Sequence, residues 1–130
     1  MNSRQKALEA MEAALEKKAL EPMLLEVGEQ SSYTDYILLL SGRSDRHVQA
    51  VADAVAQALK KEHNIQPLGV EGKRDGHWTL LDFGDVVVHV FYHPVREFYD
   101  LEGLWIDAPR VPIEVPPDSR IDAAESYGSM

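Results

Sequence analysis

Residues 33–40 read YTDYILLL, and the last four are aliphatic without a polar interruption. A strand with one wet face alternates apolar and polar residues, whereas a strand covered on both faces reads as a continuous run, as at the centre of an α/β sheet. Ser41-Gly42-Arg43-Ser44-Asp45 then marks a sharp strand-to-helix turn. Ser44 suits an N-cap, and Asp45 suits the positive first turn of a helix. Val48, Val51, Val55 and Leu59 form an apolar stripe at helical spacing, with alanines between them for close packing. Lys60 and Lys61 complement the dipole at the far end, and Asn64 is placed to cap it. A doubly covered strand feeding an amphipathic helix commits the chain to an α/β fold.

The remaining elements are read around that unit. Ser3 is placed to cap an N-terminal helix with apolar positions Leu8, Met11 and Leu15, ending at Glu21–Pro22 because the residue before proline disfavours helix. Met23–Val27 reads as a strand closed by Gly28. Ile65–Val70 is expected as the next strand, lying parallel to residues 33–40 after a right-handed crossover. Asp75-Gly76 and Gly84-Asp85 are hairpin signals, so His77–Phe83 and Val86–Phe91 read as antiparallel strands. The expected fold is a mixed sheet of about five strands, a parallel crossover plus an antiparallel meander, with flanking helices. Pro94 suits the first turn of a short helix whose Phe98, Leu101 and Trp105 share a face, with Gly103 weakening it. Residues 1–108 are expected to form the domain. Residues 109–130, with Pro109, Pro112, Pro116 and Pro117, are expected to form an extended tail whose last dozen residues are mobile.

At 130 residues the chain fits one domain with a real core. It has no cysteine, which excludes disulfides, thiolate metal sites and cysteine nucleophiles. No apolar run approaches the ~20 residues of a bilayer span, and no leader-like segment opens the chain, so a soluble cytoplasmic protein is expected. The net charge of −9 repels phosphate backbones and disfavours direct nucleic-acid binding, leaving a basic protein as the natural complement. The plain alternative is that acidity serves solubility.

Catalytic readings fare poorly. The SGRSD loop opens a helix, where anions bind well, but it lacks the Walker and GxGxxG spacings, so capping accounts for it. Nucleotidyltransferases hold magnesium with two acids two apart on a strand. Here Asp53 is followed at that spacing by Val55, and Asp82 is flanked by Leu80 and Gly84. Asp82-Phe83-Gly84 matches a kinase triplet but has no Gly-rich loop around it, and it reads as a turn. His89 and His93 have the spacing of helical zinc ligands, yet a strand would part them by roughly 13 Å. A half-exposed sheet histidine is the reading for His89. No metal or cofactor is expected.

The aromatic stretch 76–105 remains, with both tryptophans and all three phenylalanines. Trp78, Leu80 and Asp82 point to one strand face, and Thr79, Leu81 and Phe83 to the other. Glu97, Asp100, Glu102 and Asp107 follow without a basic residue between Arg96 and Arg110. Rigid aromatics ringed by charge are typical of interface hot spots. Phe98 and Leu101 read as anchors of the short helix on the sheet. Trp78, Tyr99, Glu102 and Trp105 read equally well as anchors or as contacts to a partner.

The strings SSYTDYILLLSGRSDRHVQAVADAV, GHWTLLDFGDVVVHVF and REFYDLEGLW, followed by DAPR, closely resemble the ribosomal silencing factor, or Iojap-like, family over about residues 5–110. Gly42-Arg43-Ser44 departs from the family's frequent Thr-Gly-Thr, in a loop. The resemblance implies a nucleotidyltransferase-like α/β domain without enzymatic activity. It also implies binding to the large ribosomal subunit through ribosomal protein fourteen, which blocks joining of the small subunit and lowers translation when nutrients are scarce. On that basis the partner surface is expected at Trp78, Asp82, Asp85, His89, Tyr99, Leu101, Glu102 and Trp105. Trp78, Tyr99, Leu101 and Trp105 would give aromatic or apolar contact, and the acids would pair with basic side chains. The alternatives are a nucleotide-binding, nucleotidyltransferase-like enzyme and a dimeric adaptor with a non-ribosomal partner. Self-association off the ribosome is also expected from the family.

Overall fold

A computed structural model describes residues 1–72 and 76–121. The elements run α1 (Ser3–Glu16), β1 (Leu20–Glu26), β2 (Tyr36–Gly42), α2 (Asp45–His63), β3 (Gly69–Glu71), β4 (Trp78–Asp82), β5 (Val86–Tyr92), α3 (His93–Tyr99) and α4 (Leu101–Leu104), with a single 3-10 turn at Pro117–Ser119. The five strands form one mixed sheet in the order β1-β2-β5-β4-β3.

The doubly covered strand is where its composition requires it. Every residue of β2 is buried, and it pairs in parallel with β5 from Tyr36 opposite Val86 to Gly42 opposite Tyr92. The valine-rich β5 is buried along all but its last residue, so the two most apolar strands share the centre. The parallel neighbour of β2 is therefore β5, not the segment Ile65–Val70. That segment yields only β3, three exposed residues at the sheet edge and antiparallel to β4. Polar and proline residues at Gln66-Pro67 cannot serve a central strand, whereas an exposed edge tolerates them. Antiparallel β3-β4-β5 is the expected meander, and Gly84 closes its second turn at φ +88°, a conformation a side chain would strain. The Asp75-Gly76 turn lies partly outside the described residues.

The N-terminal helix departs from expectation at both ends. Its cap is Asn2, whose side chain accepts from the Gln5 amide at 2.8 Å while the Gln5 side chain accepts from the Asn2 amide at 3.1 Å. It stops at Glu16, and Glu21–Pro22 lies inside β1. Proline is tolerated there because β1 is an outer strand whose register slips between Leu20 and Met23, with Glu21 at φ +46°. The face of α1 turned to the core is alanine, at positions 7, 10, 13 and 14, with Leu8 and Met11 only partly buried. Helix α2 follows expectation: the Ser44 hydroxyl accepts from the His47 amide at 3.1 Å, and Asn64 ends it in the left-handed conformation.

The sheet separates two cores. Helices α1 and α2 cover Leu38, Leu40, Val86, Val88, Val90, Leu81 and Phe83 on one side. On the other, Leu25, Val27, Ile37, Leu39, Phe91 and Ala108 are joined by Trp78, Val95, Leu101 and Trp105. Residues 109–121 lie along the free edge of β1: the Glu26 amide donates to the Pro109 carbonyl at 2.9 Å, the Val111 amide to the Leu24 carbonyl at 2.9 Å, and Val111 is buried. The expected mobility of the last dozen residues falls mostly on 122–130, outside the described residues. Among the described residues no helix is long and apolar enough to cross a membrane.

Candidate functional site

Helices α3 and α4 cover the second sheet face only in part. Over β4 and β3 they leave an open groove of about 590 Å³. Its floor is Trp78 and Leu80, which share a face because strand side chains alternate. Val95 and Tyr99 form the α3 wall, and Glu71, Gly72 and His77 close the other side. Trp78 is the hub: its ring lies 4.8 Å from Phe91, 5.0 Å from Tyr99 and 5.9 Å from His89, between centroids.

His89 is buried, not half-exposed, because β5 is central and Trp78 leans over it. The Trp78 Nε1–H donates to His89 Nδ1 at 3.0 Å, so the neutral ring carries its proton on Nε2. Burial pushes its pKa down to about 4, and the ring is uncharged at neutral pH. A buried aromatic scaffold thus holds Trp78 at a fixed tilt, with Tyr99 exposed at its rim.

Beside the groove the chain is tied down by a buried cation. Arg96 is 4% exposed; its Nε donates to Glu102 Oε1 at 2.7 Å, and its Nη1 to the Glu21 carbonyl at 2.6 Å and to Ser41 Oγ at 3.0 Å. The Ser41 hydroxyl lies 2.9 Å from His93 Nδ1. Since that oxygen already accepts from Arg96, its own proton is available to His93. Burial lowers the His93 pKa, with Glu97 opposing the shift and Arg96 reinforcing it. This network straps the helical segment to β1 and β2. Asp100, in the left-handed conformation, divides α3 from α4 and caps Gly103 N at 3.2 Å. A Cβ on Gly103 would collide with the Asp100 carboxylate, so the residue that weakens the helix is also the one its turn requires.

The eight residues singled out from the sequence do not form one surface. Trp78 and Tyr99 meet at the groove, whereas His89 is buried behind Trp78 and does not line it, so it is a support and not a surface contact. Leu101 and Trp105 are half-buried against the second core, and Glu102 is engaged by Arg96. Asp82 and Asp85 sit at the other end of the β4–β5 hairpin, roughly 13 Å along the strand from Trp78. There the Asp82 carboxylate accepts from Gly84 N at 2.8 Å and Asp85 from Lys6 Nζ at 2.6 Å. Phe98 does not anchor the helix: it is 82% exposed, packed edge-on against Tyr99, because the break at Asp100 turns α3 away from the common face it would share with Leu101 and Trp105. Leu104 and Ile106 are exposed as well. Glu71, His77, Val95 and Arg96 escape sequence reasoning. Only the pairing of Glu71 with Leu80 brings the first of these to the groove.

The fold and groove together define a mixed-sheet α/β domain with a preformed aromatic recess at one sheet edge. The structure of a Chromobacterium violaceum protein superposes on it with a TM-score of 0.79 at 33% identity, covering 89% of this chain and 95% of that one. The ribosomal silencing factor of Halalkalibacterium halodurans is 39% identical over 105 residues, 81% of this chain and 89% of the relative; that of Bacillus subtilis is 41% identical over 100 residues, 77% and 84% respectively. The family model described as ribosomal silencing factor during starvation matches residues 1–129. The chain belongs to the ribosomal silencing factor family.

Proposed function

We propose that this protein represses translation by binding the large ribosomal subunit through ribosomal protein fourteen and sterically blocking the small subunit. The observation that carries the reading is the convergence of Trp78 and Tyr99 at an open groove next to exposed Phe98. Rigid aromatics at the centre of a surface, with the carboxylates of Glu97, Asp100 and Asp107 nearby in sequence, suit a basic protein. Overall charge favours the same kind of partner, since a protein at −9 approaches a basic ribosomal protein more readily than bare RNA. Occlusion needs no chemistry: an occupied joining surface excludes the other subunit. Names of relatives, which are ribosomal silencing factors, support the ribosome as the place of action.

Trp78 and Tyr99 are the contacts we retain as central, with Phe98 added and Leu101 and Trp105 as their support. Off the ribosome the same apolar face is open to a second copy, and light scattering reads that state. The deciding experiment is co-sedimentation with isolated large subunits, followed by mixing with small subunits. The protein is expected to pellet with large subunits and to reduce joined ribosomes, and Tyr99→Ala to do both less well. Failure to bind large subunits or protein fourteen at micromolar concentration sinks the reading.

A further inference from the structure

The groove combines features that apolar docking alone would not require. The rings of Trp78 and Tyr99 meet at 46°, 5.0 Å apart between centroids, and make an aromatic corner. Leu80 and Val95 continue it with aliphatic surface, and Glu71 stands across from them. Glu71 is the cross-strand partner of Leu80, so both side chains leave the same face of the sheet. The complement of such a recess is a long side chain with an apolar stem and a flat cationic end. Arginine has that shape: its methylenes cover aliphatic surface, its guanidinium stacks on aromatic faces, and its fork pairs with a carboxylate. Lysine fits less well, because its compact ammonium holds its water and cannot stack. A nucleobase could stack in the corner, but its phosphates would meet a protein carrying −9.

We propose that this groove is a socket for one arginine side chain presented by the protein partner, stacked on the open side of the corner that Trp78 and Tyr99 make and paired with Glu71. The proposal rests on the groove being the docking face, and it names the chemistry recognised there. Arginine would supply specificity, while exposed Phe98 adds apolar area beside it.

The test titrates the full-length ¹⁵N-labelled protein with N-acetyl-arginine amide, N-acetyl-norleucine amide and adenosine, following the indole N–H of Trp78, assigned with Trp105→Phe. The arginine probe is expected to give a saturable shift, and norleucine amide and adenosine little at the same concentration. Glu71→Gln, on an exposed edge strand, is expected to keep the wild-type melting curve and weaken the arginine probe about threefold to fivefold, the share of one exposed charge pair. Tyr99→Leu is expected to weaken it further. Equal binding of norleucine amide, a saturable shift with adenosine in place of arginine, or Glu71→Gln binding arginine as well as wild type each overturns the socket. Co-sedimentation with large subunits runs beside it. Wild type that pellets with subunits while its indole ignores arginine removes the socket and leaves the docking reading standing. Wild type that ignores subunits removes the docking reading, and the probe titration then decides the socket by itself.

Discussion

Replacing His89 with asparagine isolates the titration of one buried ring. In the folded protein His89 accepts a hydrogen bond from Trp78 and has a pKa of about 4, against an ordinary 6.5. Because the folded pKa is depressed, the unfolded chain takes up the proton first. Stability from this group is complete above pH ~6.5 and is lost as pH falls through ~4. The gap is worth ~3 kcal/mol when fully expressed and ~2 kcal/mol at pH ~5. An asparagine carboxamide oxygen can stand where Nδ1 stands and accept from the indole, but it does not titrate. Its packing loss is the same at every pH, so the pH slope reports the proton alone. His93, whose pKa burial also lowers, contributes equally to both proteins and cancels. Urea unfolding at pH ~7.5 and ~5 should show wild type losing about 2 kcal/mol more than His89→Asn. Equal losses in the two proteins, within about 0.5 kcal/mol, would refute the argument that desolvation holds this ring neutral.

Other substitutions separate support from contact. Arg96→Ala leaves Glu102 without its partner and the Ser41 hydroxyl and Glu21 carbonyl without their donor, and should cost about 3–5 kcal/mol in urea unfolding. Phe98→Ser removes an exposed ring, so stability should move by less than about 0.5 kcal/mol while large-subunit binding weakens in co-sedimentation. Asp85→Asn breaks a partly exposed pair with Lys6, with an expected cost under about 1 kcal/mol and subunit binding unchanged; weakened binding would extend the docking face to the hairpin turn. Ser44→Ala removes the α2 cap, costing about 1 kcal/mol by thermal melt, and neither protein should give an ATP-binding signal in calorimetry; a wild-type signal that the substitution abolishes would favour a nucleotide site at this loop.

Elements whose signals are local came out of the sequence nearly whole. Helix α2 announces itself by a stripe of Val48, Val51, Val55 and Leu59 between Ser44 and Asn64, and each cap is satisfied within a few residues of it. The hairpin at Gly84 is equally local, since a turn at φ +88° favours a glycine wherever the strands lie. The end of α1 was not legible, because Pro22 reads as a helix breaker in isolation but sits on an edge-strand bulge in the fold. The place of Ile65–Val70 was not legible either. Central position is a competition among strands, and the three consecutive valines of β5 outbid it only once all five are assembled.

Composition and pattern by themselves determined an α/β domain with a doubly covered strand, an acidic surface and an aromatic segment in its second half, because each rests on residue chemistry or on spacing along one element. Tertiary structure alone decided which aromatics are buried and which are offered. Trp78 and His89 lie on adjacent strands, and their hydrogen bond exists only through the β4–β5 register. Phe98 and Trp105 share a helical face on paper, yet a left-handed Asp100 sends one to solvent and seats the other against the sheet. Glu71 reaches the groove through a three-residue edge strand that no motif marks. A binding face is made by residues from separate elements, and the sequence does not carry the distances between them.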